Sequence, residues 1–321
     1  MIKTTGLVLA AIMVVAVPGL SNAQTTLRIG HFPNITHVQA LVAHNLSRNG
    51  KGWFEQRLGG DVKIEWYVYN AGPSAMEAIF AKSIDLTYVG PNPAINAYFK
   101  SNGDEARVIA GAVNGGSALV VQGVSNLKTA ADFRAKKIAT PQFGNTQDVA
   151  ARAWLIAGGL KITQTGGDAQ VVPTANPDQL ALFKSQQLDG VWTVEPWVSR
   201  LESEAAGKVL IDDRDAITTI LVARAEFLAT QRDLVRKVVA AHRELTEWIK
   251  ANPAEAQRLA REELEAETHA KFAPELVVSS WNRIVLTSDA SLDALKALIA
   301  SAQSVGFLRN APDLSRLVEK P

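Results

Sequence analysis

The stretch Leu86 to Tyr98, LTYVGPNPAINAY, carries an apolar strand through Gly90 into an amphipathic helix. Such a helix start leaves several backbone N–H groups without intrahelical partners, and their partial positive charge suits a small anion or polar ligand above the strand end. Asn92 is placed to cap this helix and Pro93 to occupy its first position. Similar junctions are read at Asn70 to Ser74, at Gly144 to Thr146 and at Glu195-Pro196. A chain with so many is suited to closing on a ligand. Catalytic chemistry finds little to work with: there is no cysteine, and no G-x-S-x-G, H-E-x-x-H or P-loop pattern. His31, His37 and His44 offer imidazoles, the last two seven apart on one helix face. With neither cysteine nor a carboxylate cluster beside them, no metal and no cofactor is expected. An enzyme is not expected either.

The elements that must position these junctions alternate. Leu27 to Gly30 reads as a strand, followed by a loop and a helix from Thr36, where Thr36 and Gln39 have capping-box spacing. Val62 to Tyr69 is a second strand, and Ser74 with Glu77 marks the helix Ala75 to Lys82. Strand Asp85 to Val89, the helix after Asn92 and strand Arg107 to Val113 complete a first unit. After Gly115-Gly116 the pattern restarts: strands Ala118 to Gln122, Lys137 to Ala139, Gln170 to Val172 and Gly190 to Thr193 alternate with helices Ala130 to Arg134, Thr146 to Gly158, Asn176 to Gln187 and Pro196 to Ala206. This alternation implies mostly parallel sheets with crossover helices. Strand Ile220 to Ala223 leads into a helix-only tail, whose segment Asp233 to Lys250 sets Val235, Val238, Val239, His242, Leu245, Trp248 and Ile249 on one face. A tail without a sheet of its own is expected to pack on the first unit, giving two crossings between lobes, near 115 and 219, and hence a hinge.

Residues 1–23 have the pattern of a secretory signal peptide, with Lys3 before the apolar run Gly6 to Val17 and small residues up to Ala23. Cleavage is expected after Ala23, with export to the periplasm. Removing them leaves 32 basic and 32 acidic side chains. This near-neutral balance, without long basic runs, argues against nucleic acid as a partner.

The motifs LRIGHFPNITHVQALVA, YNAGPSAMEAIFAKSIDLTYVGPNPAINAY, KKIATPQFGNTQDVAARAWL and LDGVWTVEPWVSRL resemble the periplasmic solute-binding proteins of ABC importers for aliphatic sulfonates, taurine and nitrate. The resemblance covers nearly the whole chain after residue 23. It implies an α/β, two-lobed periplasmic binding protein of type II, each lobe a mostly parallel sheet flanked by helices, with two hinge crossings. The lobes would be 24–115 with 220–321, and 116–219. It also implies a monomer that captures a small organic anion, an aliphatic sulfonate or taurine, and delivers it to a membrane permease and its ATPase. Nitrate or bicarbonate, an aromatic or pyrimidine solute, and a ligand-reporting sensor subunit stand as alternatives. The thiamine-pyrimidine synthesis branch has a similar fold but relies on cysteine motifs absent here.

Matched motif by motif, the resemblance implies ligand contacts from His31, Phe32 and Asn34, from Gly72 and Ser74, and from Gly90 and Asn92. The far wall would be Gln142, Asn145, Thr146, Trp192 and Glu195, with Ser117 at the crossing. Asn92 and Ser74 are explained as well by capping alone. Glu195 has two readings: a carboxylate at a helix start, or the partner of a ligand amine, which would favour zwitterions. Trp192 is the cleft candidate and Trp197 the core one. His31 reads as a ligand contact and His242 as an edge-of-core residue.

Overall fold

The computed structural model describes residue 2 and residues 24–212, 214–309 and 313–321, so the expected signal segment lies outside the described residues. Six strands form the first sheet: β1 (Thr25–His31), β2 (Val62–Val68), β3 (Leu86–Val89), β4 (Ala106–Gly115), β10 (Ile217–Arg224) and β11 (Ile284–Leu286). The second holds β5 (Ser117–Gln122), β6 (Lys137–Thr140), β7 (Gln170–Pro173), β8 (Gly190–Val194) and β9 (Gly207–Asp212). Their orders are β11-β4-β10-β3-β1-β2 and β7-β6-β8-β5-β9. The strands β1, β2 and β3 are parallel, as are β6, β7 and β8. In each sheet the strand entering from the other lobe runs antiparallel to its neighbours: β5 against β8 and β9, and β10 against β3 and β4, while β11 also runs against β4.

Helices cover both faces of each sheet, so central strands read as uninterrupted apolar runs. LTYV of β3 and GVWTV of β8 are buried at every position. On one face of the first sheet Leu27, Ile29 and Tyr88 pack with Val235, Val238, Leu245 and Ile249 of helix Arg232–Ala251. The opposite face packs on helices Gly72–Phe80, Pro91–Lys100 and Leu292–Ser304. In the second sheet, Leu119 and Ile138 meet Leu155 on one side, while Val191 meets Phe183 and Leu201 on the other.

The crossings are built against each other. Gly115 and Gly116 take φ of 71° and 70°, a region that favours glycine. A Cβ on Gly115 would also lie 2.4 Å from the Arg283 carbonyl oxygen. The Gly115 N–H donates to the Ala216 carbonyl at 2.8 Å, and Thr218 Oγ1 donates to that of Gly115.

Several local expectations are corrected. The tail is not helix-only: β11 returns to pair with β4. Strand β9 and helix Trp53–Leu58 were not expected. The helix in the opening motif starts at Pro91 with Gly90 as its N-cap, so Asn92 lies inside the first turn and does not cap. Ser74 Oγ donates to the Ala71 carbonyl at 2.9 Å, and its helix starts at Gly72. Gln39 turns inward to the Ala112 carbonyl, so neither proposed capping box forms. His242 is fully buried, between the Tyr88 hydroxyl at 2.9 Å and the Gly111 carbonyl at 2.8 Å, and is a core residue.

Candidate functional site

Four helices begin where parallel strands end: Gly72–Phe80 after β2, Pro91–Lys100 after β3, Thr146–Ala157 after β6 and Asn176–Lys184 after β7. Proline at the first or second position (Pro73, Pro91, Pro177) presets the helical φ where its missing N–H would have had no intrahelical partner. Gly72, Gly90, Thr146 and Asn176 all line one cavity of about 30 Å³ between the lobes. By volume it holds about two water-sized groups. Asn34, Thr36, His37, Asn70, Asn145, Gln147 and Thr218 supply its polar walls, and among the described residues no Lys, Arg, Asp or Glu lines it. Burial pushes the His37 imidazole well below its ordinary pKa, so it is uncharged at neutral pH. Helix N-termini therefore supply the positive potential nearest the cavity, while the charges just behind its walls are paired, Asp148 with Arg152 and Glu195 with Arg283. Thr36 Oγ1 is fully buried and without a hydrogen-bond partner. A buried hydroxyl in that state costs free energy until a ligand or water satisfies it.

The lobes touch around this cavity. Asn34 Oδ1 accepts from Trp197 Nε1 at 3.1 Å and from Asn176 Nδ2 at 3.5 Å. The Asn92 N–H donates to Thr146 Oγ1 at 3.4 Å, and the Ile35 N–H to the Glu195 carbonyl at 2.9 Å. A second cavity of about 520 Å³ shares Thr146, Gln147 and Thr218 with the first and adjoins it. Its walls are mainly apolar: Val149, Ala153, Trp154, Trp192, Ile211, Ile217 and Leu298, with Asn92 and Ser117 among the polar ones. Among the described residues it too is lined by no charged side chain. A small polar pocket opening onto a large apolar one can hold a polar head and an apolar body.

The structure brings Phe32, Asn34, Gly72, Gly90, Asn145 and Thr146 to the polar cavity, and Asn92, Ser117, Thr146 and Trp192 to the apolar one. Ser74 and Gln142 face each other across the lobes at 3.5 Å, outside both linings. Two residues sit elsewhere. His31 is turned behind the loop, with Nε2 3.1 Å from Glu267 Oε1. Glu195 is fully buried and saturated: Oε1 accepts from Arg283 Nη1 and Ser199 Oγ, both at 2.9 Å, and Oε2 from Ser280 Oγ at 2.9 Å and the Ser199 N–H at 3.1 Å. Its carboxylate clamps the lobes and has no free oxygen for a ligand amine. Thr36, His37, Asn176 and Thr218 line the site without having been singled out for it. The Asn176-Pro177 start has the same local signature as Asn92-Pro93 and was the available signal.

Two sheets flanked by helices, a strand exchanged at each crossing and a cleft at the parallel strand ends define a two-lobed periplasmic-binding-protein fold. The NMT1-like family profile matches residues 21–262, and the chain belongs to that family. A binding protein of Brucella abortus (strain 2308) is 26% identical over 253 residues, 75% of this chain and 74% of the relative. An aliphatic sulfonates-binding protein of Escherichia coli (strain K12) is 30% identical over 155 residues, 48% of this chain and 46% of its own. Among solved structures, the alkanesulfonate-binding protein SsuA from Xanthomonas axonopodis pv. citri, bound to MOPS, is similar with TM-score 0.74 and 20% identity, covering 92% of this chain and 99% of that one. The nitrate-binding protein NrtA from Synechocystis PCC 6803 gives TM-score 0.70 at 15% identity, covering 90% and 83%.

Proposed function

We propose that this chain is the periplasmic substrate-binding component of an ABC importer, and that it captures an organic sulfonate with an apolar body and hands it to a membrane permease. The observation that carries this reading is the pair of adjoining cavities, a charge-free polar pocket at four helix starts opening onto about 520 Å³ of mostly apolar wall. An anionic head is held by N–H and hydroxyl donors, each charge-assisted bond contributing about 1.5–3 kcal/mol. The body lies against Trp154, Trp192 and Ile217. The relatives support the class, since sulfonate- and nitrate-binding proteins share the fold. No carboxylate lines either cavity among the described residues, and Glu195 is committed to the clamp, which favours a simple sulfonate over a zwitterion such as taurine. Closure is the motion of one sheet body on the other about Gly115-Gly116 and residues 214–216, driven by tighter binding to the closed form.

Isothermal titration of ethane-, butane- and hexanesulfonate, with taurine and nitrate alongside, tests it. Each buried methylene contributes about 0.8 kcal/mol, so affinity should rise about fourfold per methylene until the apolar cavity is filled. A flat series, or nitrate outcompeting every sulfonate, would refute the apolar-body reading and leave a small inorganic oxyanion as ligand.

A further inference from the structure

Behind the loop 31–37 that walls the polar cavity, three elements bring nitrogen and oxygen ligands to one point. His31 ends β1, His44 lies on helix Val38–Arg48, and Glu263 and Glu267 lie on helix Pro253–Thr268. We infer that His31, His44 and Glu267, with Glu263 beside them, form a binding site for a divalent transition-metal ion, zinc foremost.

The geometry fits first. His31 Nε2, His44 Nδ1 and Glu267 Oε1 are separated by 3.2, 3.1 and 2.9 Å. A tetrahedral zinc ion with bonds of 2.0–2.2 Å spaces its ligands about 3.3–3.6 Å apart, so the triangle needs only a slight expansion to seat it. Glu263 Oε1 lies 2.9 Å from His44 Nδ1 and outside the group of three, adding negative charge beside it, so the fourth position of the ion falls to water. The ligand type fits too, since paired imidazoles with carboxylate oxygen are a recurring zinc set.

The three atoms also converge: His31 Nε2 and His44 Nδ1, 3.2 Å apart, both face Glu267 Oε1. Independently, Glu267 Oε2 is buried without a hydrogen-bond partner although the side chain is only 2% exposed, the state of a carboxylate with capacity left for an ion.

Outer contacts are also in place. His31 Nδ1 lies 3.4 Å from the Phe32 carbonyl, which favours the tautomer with Nε2 free for metal. Trp66 stacks on His44 with 5.2 Å between ring centres, and the Arg48 guanidinium holds Glu263 at 2.7 Å. His44 is partly exposed and gives a path from solvent. Such an ion would tie the strand leading to Phe32 and His37 to a helix more than two hundred residues away.

The test uses the full chain, stripped with a chelator and titrated with zinc chloride, with cobalt(II) as a spectroscopic substitute. The expected result is one ion per chain, a raised thermal midpoint, and the intense visible absorption of low-symmetry four-coordinate cobalt. Glu267→Gln and His44→Gln should each weaken zinc by more than the roughly 10–100-fold typical of losing an outer partner, while His269→Ala at an exposed histidine should change nothing. Absence of stoichiometric uptake by the native chain, or the weak spectrum of hexaaqua cobalt, would overturn the assignment without recourse to any variant. Unchanged zinc affinity in both cluster variants would do the same.

Discussion

Gly90 offers a substitution whose cost should fall on lobe closure alone. Its backbone, at φ −65° and ψ 148°, is one any residue adopts, so alanine strains nothing within its own lobe. A Cβ there would nevertheless lie 2.5 Å from Thr146 Oγ1, against 3.4 Å for ordinary contact, and Thr146 belongs to the other lobe. The lobes must part locally, or Thr146 must abandon the Asn92 N–H it accepts at 3.4 Å. Overpacking of this kind costs about 1–3 kcal/mol, equivalent to a roughly 5–150-fold loss of ligand affinity. The ligand-free, open chain should keep its stability within about 1 kcal/mol, because the gain of about 0.4–1 kcal/mol that Gly→Ala brings through the unfolded state is offset by alanine being the poorer N-cap at this position. Titration calorimetry with hexanesulfonate and ligand-free melting give the two readouts, and Thr146→Ala closes a double-mutant cycle. On the Thr146→Ala background the Gly90→Ala penalty should vanish. Equal penalties on both backgrounds, or lost stability without lost affinity, would refute closure through this contact.

Three further outcomes follow from the same geometry. Thr36→Val removes the orphaned hydroxyl at constant shape, so ligand-free stability should hold or rise while affinity for the anion falls about 10–100-fold; calorimetry showing unchanged affinity would take Thr36 out of the site. Glu195→Gln breaks a buried pair with Arg283, which retains Glu202 at 2.8 Å, so chemical denaturation should show a loss of about 3 kcal/mol. Ligand affinities should then shift by a common factor, and a selective loss for amine-bearing ligands would restore the amine-pairing role. His242 is buried neutral, with burial pushing its pKa down to about 4 from 6.5. As pH falls below 6.5 the unfolded chain takes the proton first, so its share of stability, at most about 3 kcal/mol, is lost progressively between pH 6.5 and 4. His242→Gln should flatten that part of the stability–pH curve, and parallel curves for the two proteins would sink the assignment.

What was legible in the sequence was local. The strand-to-helix junctions stood out because proline, glycine and asparagine act on the backbone within a few residues. Even so, the helix start after β3 was read two residues late, since Pro91 and Pro93 both suit a first turn that lacks intrahelical N–H bonds. The amphipathic face of helix Arg232–Ala251 was readable because seven apolar or aromatic positions share one period. Strand β9 was not, because GKVLID is only half buried and carries charges at either end. The role of Glu195 was out of reach because its donors Ser280 and Arg283 lie 85 and 88 residues further on. The same applies to His31 and His44: the carboxylates that make them a cluster arrive from a helix whose place beside them is a tertiary fact.

The distribution of charge between the cleft and its flank has one physical explanation. A lysine or arginine lining the cavity would be a full charge to desolvate each time the lobes met without ligand, a penalty of several kcal/mol that nothing in the empty cleft offsets. Helix N-termini carry only fractional charge, and it belongs to backbone already folded, so they present an anion with oriented donors and leave little unpaired charge when empty. The structure has the lobes in contact around a cavity of about 30 Å³ that no charged side chain lines among the described residues. The full charges at this junction stand instead on the flank, where Arg283 is held by Glu195 at 2.9 Å and Glu202 at 2.8 Å. Paired, they fix how the lobes meet without favouring any ligand. Under the proposed function, unpaired donors in the cleft and paired ions beside it would let one molecule close, discriminate an oxyanion and open again.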